Sequence, residues 1–200
     1  MKLIMRKKLF FLLALTLFLA GCGTAEVDTP PVTIEQNSEN VNGEANQEEI
    51  DNGADVTPAI GIFQGAQAPA FTLEDLEGNL ISLESMRGRQ VIVNFWQLSC
   101  GPCLAEKKEF QDFINEYGQD EVVILSINLR DTPEQINAYM EENQYTFPVL
   151  MDTSDNIAGV EYRVRATPTN VFIDEEGLVK HRVEGAMNVA FMKERLGISD

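Results

Sequence analysis

Two cysteines, Cys100 and Cys103, lie three positions apart directly behind the apolar run "QVIVNFWQ" at residues 90–97. A continuous apolar run of this length predicts a strand that is buried on both faces, as in a parallel sheet. Behind the cysteines, apolar residues recur at helical spacing until Gly118, where the helix is expected to end. A second apolar run at residues 121–129 completes a β-α-β unit. Cys100 is therefore expected at the N-terminus of the helix.

The rest of the chain adds shorter elements around this unit. Alternating apolar residues on both sides of Gly78-Asn79 predict an N-terminal β-hairpin. Asp131 or Thr132 as N-cap, followed by Pro133, predicts the start of another helix. The remaining predictions are the end of that helix near Asn143, a strand at 147–151, a helical or irregular stretch at 156–162, two strands around Glu176-Gly177 and a helix at 188–196. This order predicts an α/β fold with a central mixed β-sheet flanked by helices on both faces.

The spacing of the two cysteines is compatible with a metal site, a structural bridge or a redox pair. Structural zinc needs four ligands, whereas the folded part of the chain offers these two cysteines and His181, so no metal site is predicted. A bridge over so short a loop removes little entropy from the unfolded chain. A redox pair fits best, because a helix N-terminus favours a thiolate and Gly101-Pro102 forms a tight turn between the thiols. Cys100, which projects beyond the helix, is predicted to attack a disulfide, and Cys103 to resolve the mixed disulfide.

Residues 1–21 have the pattern of a bacterial export signal, a basic start followed by an apolar run. That run is too short to cross a bilayer comfortably as a helix, which argues against a transmembrane anchor. It ends in "LAGC" at residues 19–22, which resembles the lipobox at which a peptidase cuts before a cysteine that carries a diacylglycerol. Cys22 is therefore predicted to be the lipidated first residue of the exported protein.

Residues 22–65 form an acidic segment, with nine Asp and Glu residues and no Lys or Arg between Thr24 and Gly65. The segment shows neither helical nor strand periodicity, and its composition does not offset the entropy of ordering. It is predicted to be a flexible tether, or a plain linker, in front of a folded domain at residues 66–200. The net charge of -17 excludes nucleic acid as a partner, because its phosphates would be repelled.

Five segments spread over residues 66–197 are "APAFTLEDLEGNLISL", "VNFW", "CGPC", "FPVLMD" and "ATPTNVFIDEEG". In this order they resemble thioredoxin-fold proteins of the TlpA/ResA type, with a start of the AhpC/TSA-redoxin kind. The resemblance implies a thioredoxin-like fold with an N-terminal β-hairpin extension. It also implies a cis peptide bond before Pro168, which would pack against the cysteines, and a backbone at Thr167 that hydrogen-bonds a bound peptide.

The same resemblance implies a thiol-disulfide oxidoreductase that is anchored by its lipid to the extracytoplasmic face of the bacterial cell membrane. No cofactor is expected besides the redox-active disulfide itself. We expect a monomer that reduces protein disulfides with electrons from a membrane thiol carrier. Apocytochrome c is the client that the resemblance implies first, and a broader repair or sporulation role is the alternative. The Gly-Pro dipeptide between the cysteines does not by itself fix the direction of electron flow.

Three further positions near the cysteines carry expectations. Glu106 lies three residues after Cys103, on the helix face shared with Phe110. Facing inward, it would have a raised pKa and would exchange a proton with Cys103, as the resemblance implies; facing outward, it would be an exposed acid near a helix start. Trp96 is predicted to contact substrate as a wall beside the active site, or else to be a core residue. Ser99 stands where relatives commonly have a tryptophan, so the surface around the attacking sulfur is less aromatic.

Two other functions are compatible with the same fold. A copper or haem chaperone would need a histidine or methionine near the two cysteines, and His181 is the one histidine of the chain. A thiol peroxidase would carry its reactive cysteine behind a Thr-x-x motif, which Leu98-Ser99 does not supply. Both alternatives fit the residues less well than the oxidoreductase does.

Overall fold

The apolar run that precedes the cysteines forms an interior strand of a seven-stranded mixed sheet. The computed structural model describes residues 57–120, 122–152 and 156–199. The strands are β1 (Thr72–Asp75), β2 (Leu80–Ser82), β3 (Gln90–Trp96), β4 (Val122–Asn128), β5 (Val149–Met151), β6 (Thr169–Ile173) and β7 (Val179–Glu184). The helices are α1 (Gly101–Tyr117), α2 (Pro133–Asn143), α3 (Ile157–Val160) and α4 (Val189–Leu196), with a 3-10 turn at Glu84–Met86.

The order of strands in the sheet is β2-β1-β5-β4-β3-β6-β7. β3 pairs in parallel with β4, and β4 with β5, whereas β6 and β7 extend the sheet in antiparallel fashion from the other side of β3. The hairpin of β1 and β2 joins through antiparallel pairing of β1 with β5. Parallel neighbours need a crossover, and α1 supplies it between β3 and β4. The predicted α/β architecture, with its mixed sheet and N-terminal hairpin, is confirmed.

Side chains of β3 alternate between two hydrophobic cores, one on each face of the sheet. Ile92 and Trp96 belong to the core under α1, α2 and α4, whereas Val93 and Phe95 belong to the core on the opposite face. Asn94 is buried on the same face as Ile92 and Trp96. The strand therefore brings one polar side chain into the core beneath α1.

The structure decides between the two predicted N-caps of α2 and moves the start of β5. Thr132, not Asp131, is the N-cap of α2, and it forms a capping box with Gln135. β5 begins at Val149, two residues later than predicted. Pro148 has no N–H to donate to a neighbouring strand, which explains the shorter ladder.

The segment before the hairpin contacts the domain earlier than residue 66. The backbone N–H of Gly65 donates to the carbonyl of Val179 at 2.8 Å, and that of Gly61 donates to Gln67 at 2.9 Å. Residues 57–65, which the sequence assigns to the linker, thus share backbone hydrogen bonds with residues 66–200. The bond between Gly65 and Val179 joins positions that are far apart in the sequence, so no local pattern predicts it.

The predicted signal peptide at residues 1–21, the lipidation site Cys22 and the linker up to residue 56 lie outside the described residues. None of the helices in the described ranges combines the length and the apolar character needed to cross a bilayer.

Candidate active site

The two cysteines lie at the start of α1, as predicted. Cys100 is the N-cap residue of the helix, and Pro102 lies in its first turn. The sulfurs of Cys100 and Cys103 form a disulfide, with the two Cα atoms 5.2 Å apart. The backbone N–H of Cys103 donates to Sγ of Cys100 at 3.2 Å. This N–H and the helix dipole both favour negative charge on the Cys100 sulfur once the disulfide is reduced.

The two sulfur-bearing residues differ in their access to solvent. Cys100 keeps 9% of its surface exposed and Cys103 keeps none. The neighbouring Ser99, Gly101 and Pro102 are exposed, so Cys100 lies at the surface end of the helix. A disulfide that approaches the protein meets Cys100 first, which supports attack by Cys100 and resolution by Cys103.

A second chain segment lies directly beside the disulfide. The peptide bond between Thr167 and Pro168 is cis, as the family resemblance implies. The carbonyl oxygen of Thr167 lies 3.4 Å from Sγ of Cys100. Thr167 is partly exposed and Pro168 is buried. A partly exposed backbone next to the attacking sulfur fits the expected role of Thr167 in hydrogen bonding to a bound peptide.

Glu106 is buried, with 1% of its surface exposed. Its Oε1 accepts hydrogen bonds from Nδ2 of Asn170 at 2.8 Å and from the backbone N–H of Met187 at 2.9 Å. Its Oε2 accepts one from Nδ2 of Asn94 at 2.8 Å. Burial raises the pKa of Glu106, and the charge of Lys107 together with these hydrogen bonds opposes that rise. The inward-facing interpretation is confirmed, and proton exchange with Cys103 stays a prediction.

Lys107 is a residue of the site that sequence reasoning missed. It has no exposed surface. Its Nζ donates to Oγ of Ser126 at 2.6 Å and to Oδ1 of Asn94. The same Nζ lies 4.2 Å from the centre of the Trp96 ring. Burial lowers the pKa of Lys107 to about 7, against the opposing effect of the Glu106 charge. One signal was present in the sequence, because Lys107 lies one helical turn after Cys103, on the predicted buried face.

Trp96 is a core residue. It has no exposed surface, and its ring packs against Tyr139 with the two centroids 6.0 Å apart. The predicted substrate contact of Trp96 is therefore wrong, and the alternative interpretation as a core residue is correct. The uninterrupted apolar run had predicted a strand buried on both faces, so the sequence pattern itself favoured the interpretation of Trp96 as a core residue.

The loop before Cys100 is held by the end of β4. Oδ2 of Asp131 accepts hydrogen bonds from the backbone N–H of Leu98 at 2.7 Å and from Nδ2 of Asn128 at 2.8 Å. Oδ1 of Asn128 in turn accepts from the backbone N–H of Asp131 at 2.9 Å. Asp131, one of the two predicted N-caps of α2, thus anchors the loop that leads into the active site.

His181 lies on β7, and its ring packs against Phe172 of β6 with centroids 6.1 Å apart. Burial lowers the pKa of His181, and the positive charges of Arg195 and Lys180 act in the same direction. Over residues 57–120, 122–152 and 156–199, no three His, Cys, Asp or Glu side chains converge in a way that would hold a metal ion.

Comparison with known proteins gives related sequences and related structures. The sequence profile of the AhpC/TSA family matches residues 64–182. The thiol-disulfide oxidoreductase ResA of Bacillus subtilis is 32% identical over 140 residues, which cover 68% of this chain and 76% of that protein. The crystal structure of StoA from Bacillus subtilis has a TM-score of 0.57 at 27% identity, and covers 66% of this chain and 98% of that one. The exposed lipoprotein thioredoxin Etrx1 of Streptococcus pneumoniae has a TM-score of 0.57 at 26% identity, with coverage of 64% and 98%.

Proposed function

Because the chain belongs to the AhpC/TSA family and is a thiol-disulfide oxidoreductase of the ResA type, we propose that it is a lipid-anchored reductant of protein disulfides on the extracytoplasmic face of the bacterial cell membrane. The observation that carries the proposal is the position of Cys100, which keeps 9% of its surface exposed beside the Thr167 carbonyl, in front of the fully buried Cys103. This arrangement gives one cysteine to the substrate and keeps the other for the internal step.

The reaction is a pair of thiol-disulfide exchanges. The Cys100 thiolate attacks one sulfur of the substrate disulfide, and the other substrate sulfur leaves as a thiolate. Cys103 then loses its proton and attacks the Cys100 sulfur, which releases the second substrate thiolate. Two electrons pass from the protein to the substrate, and the protein ends with the Cys100–Cys103 disulfide. Glu106, one helical turn from Cys103, is the group proposed to take up the Cys103 proton.

The substrate is proposed to bind as an extended peptide. The partly exposed Thr167 backbone offers hydrogen bonds to such a segment, in the manner of strand addition. The small residues Ser99 and Gly101 leave room around the attacking sulfur for a folded or bulky client. Apocytochrome c is the client proposed first, because its haem-binding cysteines must be reduced before haem is attached. A repair or sporulation role would use the same chemistry on other clients.

The anchor is proposed to be a diacylglycerol on Cys22. The "LAGC" sequence at residues 19–22 supports it, and one similar protein is itself described as an exposed lipoprotein thioredoxin. The acidic segment at residues 22–56 would let the domain move above the membrane and meet both its clients and a membrane thiol carrier that supplies electrons. The reduced protein is thereby regenerated at the membrane surface.

The reduction potential of the full-length protein tests the direction of electron flow. Thiol trapping of Cys100 and Cys103 across glutathione and dithiothreitol buffers gives this potential, and a single two-electron transition is expected. A value at or below roughly -230 mV, near the thioredoxin end of the range, supports a reductant. A value near about -120 mV would instead make the protein an oxidant of newly exported thiols.

Labelling with a fatty acid tests the anchor. Cells that express the full-length protein are expected to incorporate labelled palmitate into it and to retain it in the membrane fraction. The Cys22→Ser variant is expected to take up no label and to leave that fraction. Equal labelling of both proteins would place the anchor elsewhere and contradict the proposal.

A further inference from the structure

Glu106 and Lys107, consecutive residues of α1, are connected through the side chain of Asn94 on β3. Nδ2 of Asn94 donates to Oε2 of Glu106 at 2.8 Å, and Oδ1 of Asn94 accepts from Nζ of Lys107. A single amide therefore lies between a buried carboxylate and a buried ammonium group. Its N–H group donates to the carboxylate, and its oxygen accepts from the ammonium group.

The orientation of this amide is fixed by its other contacts. Nδ2 of Asn94 also donates to Oδ1 of Asn170 at 2.7 Å, and Oγ of Ser126 lies 3.4 Å from Oδ1 of Asn94. Rotation of the amide by half a turn would put its N–H groups against the Lys107 ammonium and its oxygen against the Glu106 carboxylate. The donors and acceptors are thus arranged for a negative Glu106 and a positive Lys107.

Aromatic rings complete the surroundings of Lys107. Its Nζ lies 4.2 Å from the Trp96 ring centre, 4.9 Å from that of Phe110 and 5.5 Å from that of Phe147. Ring faces attract a cation, and the attraction is strongest where water is excluded. Together with the Ser126 hydroxyl, these rings replace part of the hydration that the ammonium group loses on burial.

The redox pair lies on the same helix as these charges. Cys103 and Lys107 are one helical turn apart, and neither has exposed surface. Both belong to the side of α1 that faces the sheet. A change of charge at the Cys103 sulfur therefore occurs in the same water-poor region as the two charged side chains.

We propose that Lys107 is a positioning residue of the redox site: through the Asn94 amide it orients the Glu106 carboxylate and stabilises its ionised form, ready to accept the Cys103 proton. In this step the S–H bond of Cys103 breaks and its proton passes to Glu106. The sulfur lone pair attacks the Cys100 sulfur of the mixed disulfide, the bond from Cys100 to the substrate sulfur breaks, and the substrate leaves as a thiolate. The step needs no further reactant. The inference rests on the proposed transfer of the Cys103 proton to Glu106, and it deepens that step by naming the residue that positions the carboxylate.

The titratable groups that face this network are few in the part of the chain that the structure describes. Glu106 and Lys107 face each other's charge, and the thiols of Cys100 and Cys103 join them after reduction. The strands and the segment before α4 contribute uncharged groups, namely the side chains of Asn94, Ser126 and Asn170 and the backbone N–H of Met187. Burial lowers the pKa of Lys107 to about 7 and raises the pKa of Glu106, so the two groups titrate closer together than in water.

Infrared titration of the full-length protein tests the proposal. The C=O stretch of protonated Glu106 is identified by its loss in Glu106→Gln, and its midpoint is followed against pH. In Lys107→Met this midpoint is expected to rise by about one pH unit or more, because the opposite charge that favours the carboxylate is gone. Lys108→Met is the matched control, since Lys108 is the next residue and is exposed. Its midpoint is expected to equal that of the unmodified protein.

A reaction profile gives the second readout. The rate at which the reduced protein reduces a disulfide peptide is measured against pH. In Glu106→Gln this profile is expected to lose its inflection at the Glu106 midpoint. In Lys107→Met the inflection is expected to shift together with the midpoint. A folded Lys107→Met protein with an unchanged midpoint would overturn the proposal. If Lys107→Met does not fold, Ser126→Ala replaces it, because it removes one acceptor from the ammonium group. Its midpoint is expected to rise by a smaller amount, and an unchanged midpoint there would leave Lys107 a purely structural residue.

Discussion

Asn94 on β3 and Asn170 on β6 face each other in the paired strands, and Nδ2 of Asn94 donates a hydrogen bond of 2.7 Å to Oδ1 of Asn170. Both amides also donate to the carboxylate of Glu106. The cross-strand pair of asparagines thereby supplies uncharged hydrogen-bond donors to the charged Glu106 side chain. Every hydrogen bond that the structure records at this carboxylate is donated to it, which is the environment of an ionised acid.

Replacement of Glu106 by Gln is expected to lower the free energy of unfolding by about 1–3 kcal/mol. Gln presents an N–H2 group where the carboxylate accepts hydrogen bonds, so at least one buried donor loses its acceptor. Urea unfolding followed by the fluorescence of Trp96, the one tryptophan, measures the change. Glu116→Gln, at an exposed position of the same helix, is the control, and it is expected to stay within about 0.5 kcal/mol of the unmodified protein. Equal stability of the two variants would contradict the prediction.

The titration of Lys107 is expected to increase the free energy of unfolding as the pH rises from about 7 toward 10. Its pKa is about 7 in the folded protein, below the ordinary value of 10.5 for an unfolded chain. Between these values the unfolded chain holds a proton that the folded protein lacks, so the free energy of unfolding increases with pH. Below about pH 7 both states are protonated, and the full cost of burying the charge remains.

Other groups limit the window in which this effect is visible. The raised pKa of Glu106 lets the folded protein keep a proton that the unfolded chain loses, so stability falls as the pH rises above its ordinary value of 4.5. Burial also raises the pKa of Tyr139 and Tyr162, and their contribution falls above an ordinary value of 10.0. Unfolding is therefore measured between about pH 7 and pH 9.5. The rise is expected in the unmodified protein and in Lys108→Met but not in Lys107→Met, and a rise of equal slope in all three would refute it.

The two cysteines are expected to behave differently when each is replaced by serine. Cys103→Ser keeps the accessible Cys100 sulfur but has no resolving thiol, so a mixed disulfide with a substrate peptide should accumulate. Cys100→Ser should form little of this adduct, because Cys103 has no exposed surface. Both variants should reduce substrate only at background rate. Non-reducing gels after incubation with a labelled disulfide peptide give the result, and an adduct of equal yield through Cys103 would mean that the assigned roles are reversed.

A charge at position 101 is expected to tune the attacking thiol. Gly101 is exposed, and a Cβ added there would meet no atom within 4 Å, so the site accepts a side chain without steric cost. Gly101→Lys is expected to lower the thiol pKa of Cys100 by about half a unit to one unit, and Gly101→Glu to raise it by a similar amount. The pH dependence of alkylation by iodoacetamide in the reduced protein measures both. Shifts of the same sign in the two variants would show that charge is not the cause.

Much of the fold could be predicted from local pattern. The run at residues 90–97 and the run at 121–129 became β3 and β4, because an uninterrupted apolar stretch can be satisfied only where both faces are covered. The helix between them begins at the cysteines and ends at Gly118, where the apolar spacing stops. These features depend on residues that are close together in the sequence, so a local sequence pattern is enough to predict them.

The buried charges could not be predicted in the same way. Lysine is almost never fully buried unless it is paired, so a lysine in a helix predicts exposure. The groups that make its burial tolerable, Asn94 and Ser126, lie 13 and 19 residues away in sequence and on two different strands. The burial of Trp96, by contrast, was indicated by the local sequence, because a strand that is covered on both faces turns none of its side chains toward solvent.

The distribution of charged and neutral groups over the elements has a mechanical consequence. Cys100, Cys103, Glu106 and Lys107, the groups that change bonding or protonation, all lie within residues 100–107 at the start of one helix. The strands supply amides and a hydroxyl, which carry no net charge. A helix is stiff over two turns, so small sliding motions of the sheet alter dipoles around the charges but not the spacing between the charges themselves. The backbone spacing of the four reacting and titrating residues is therefore set by α1 alone, whereas the sheet sets the dipoles that surround them.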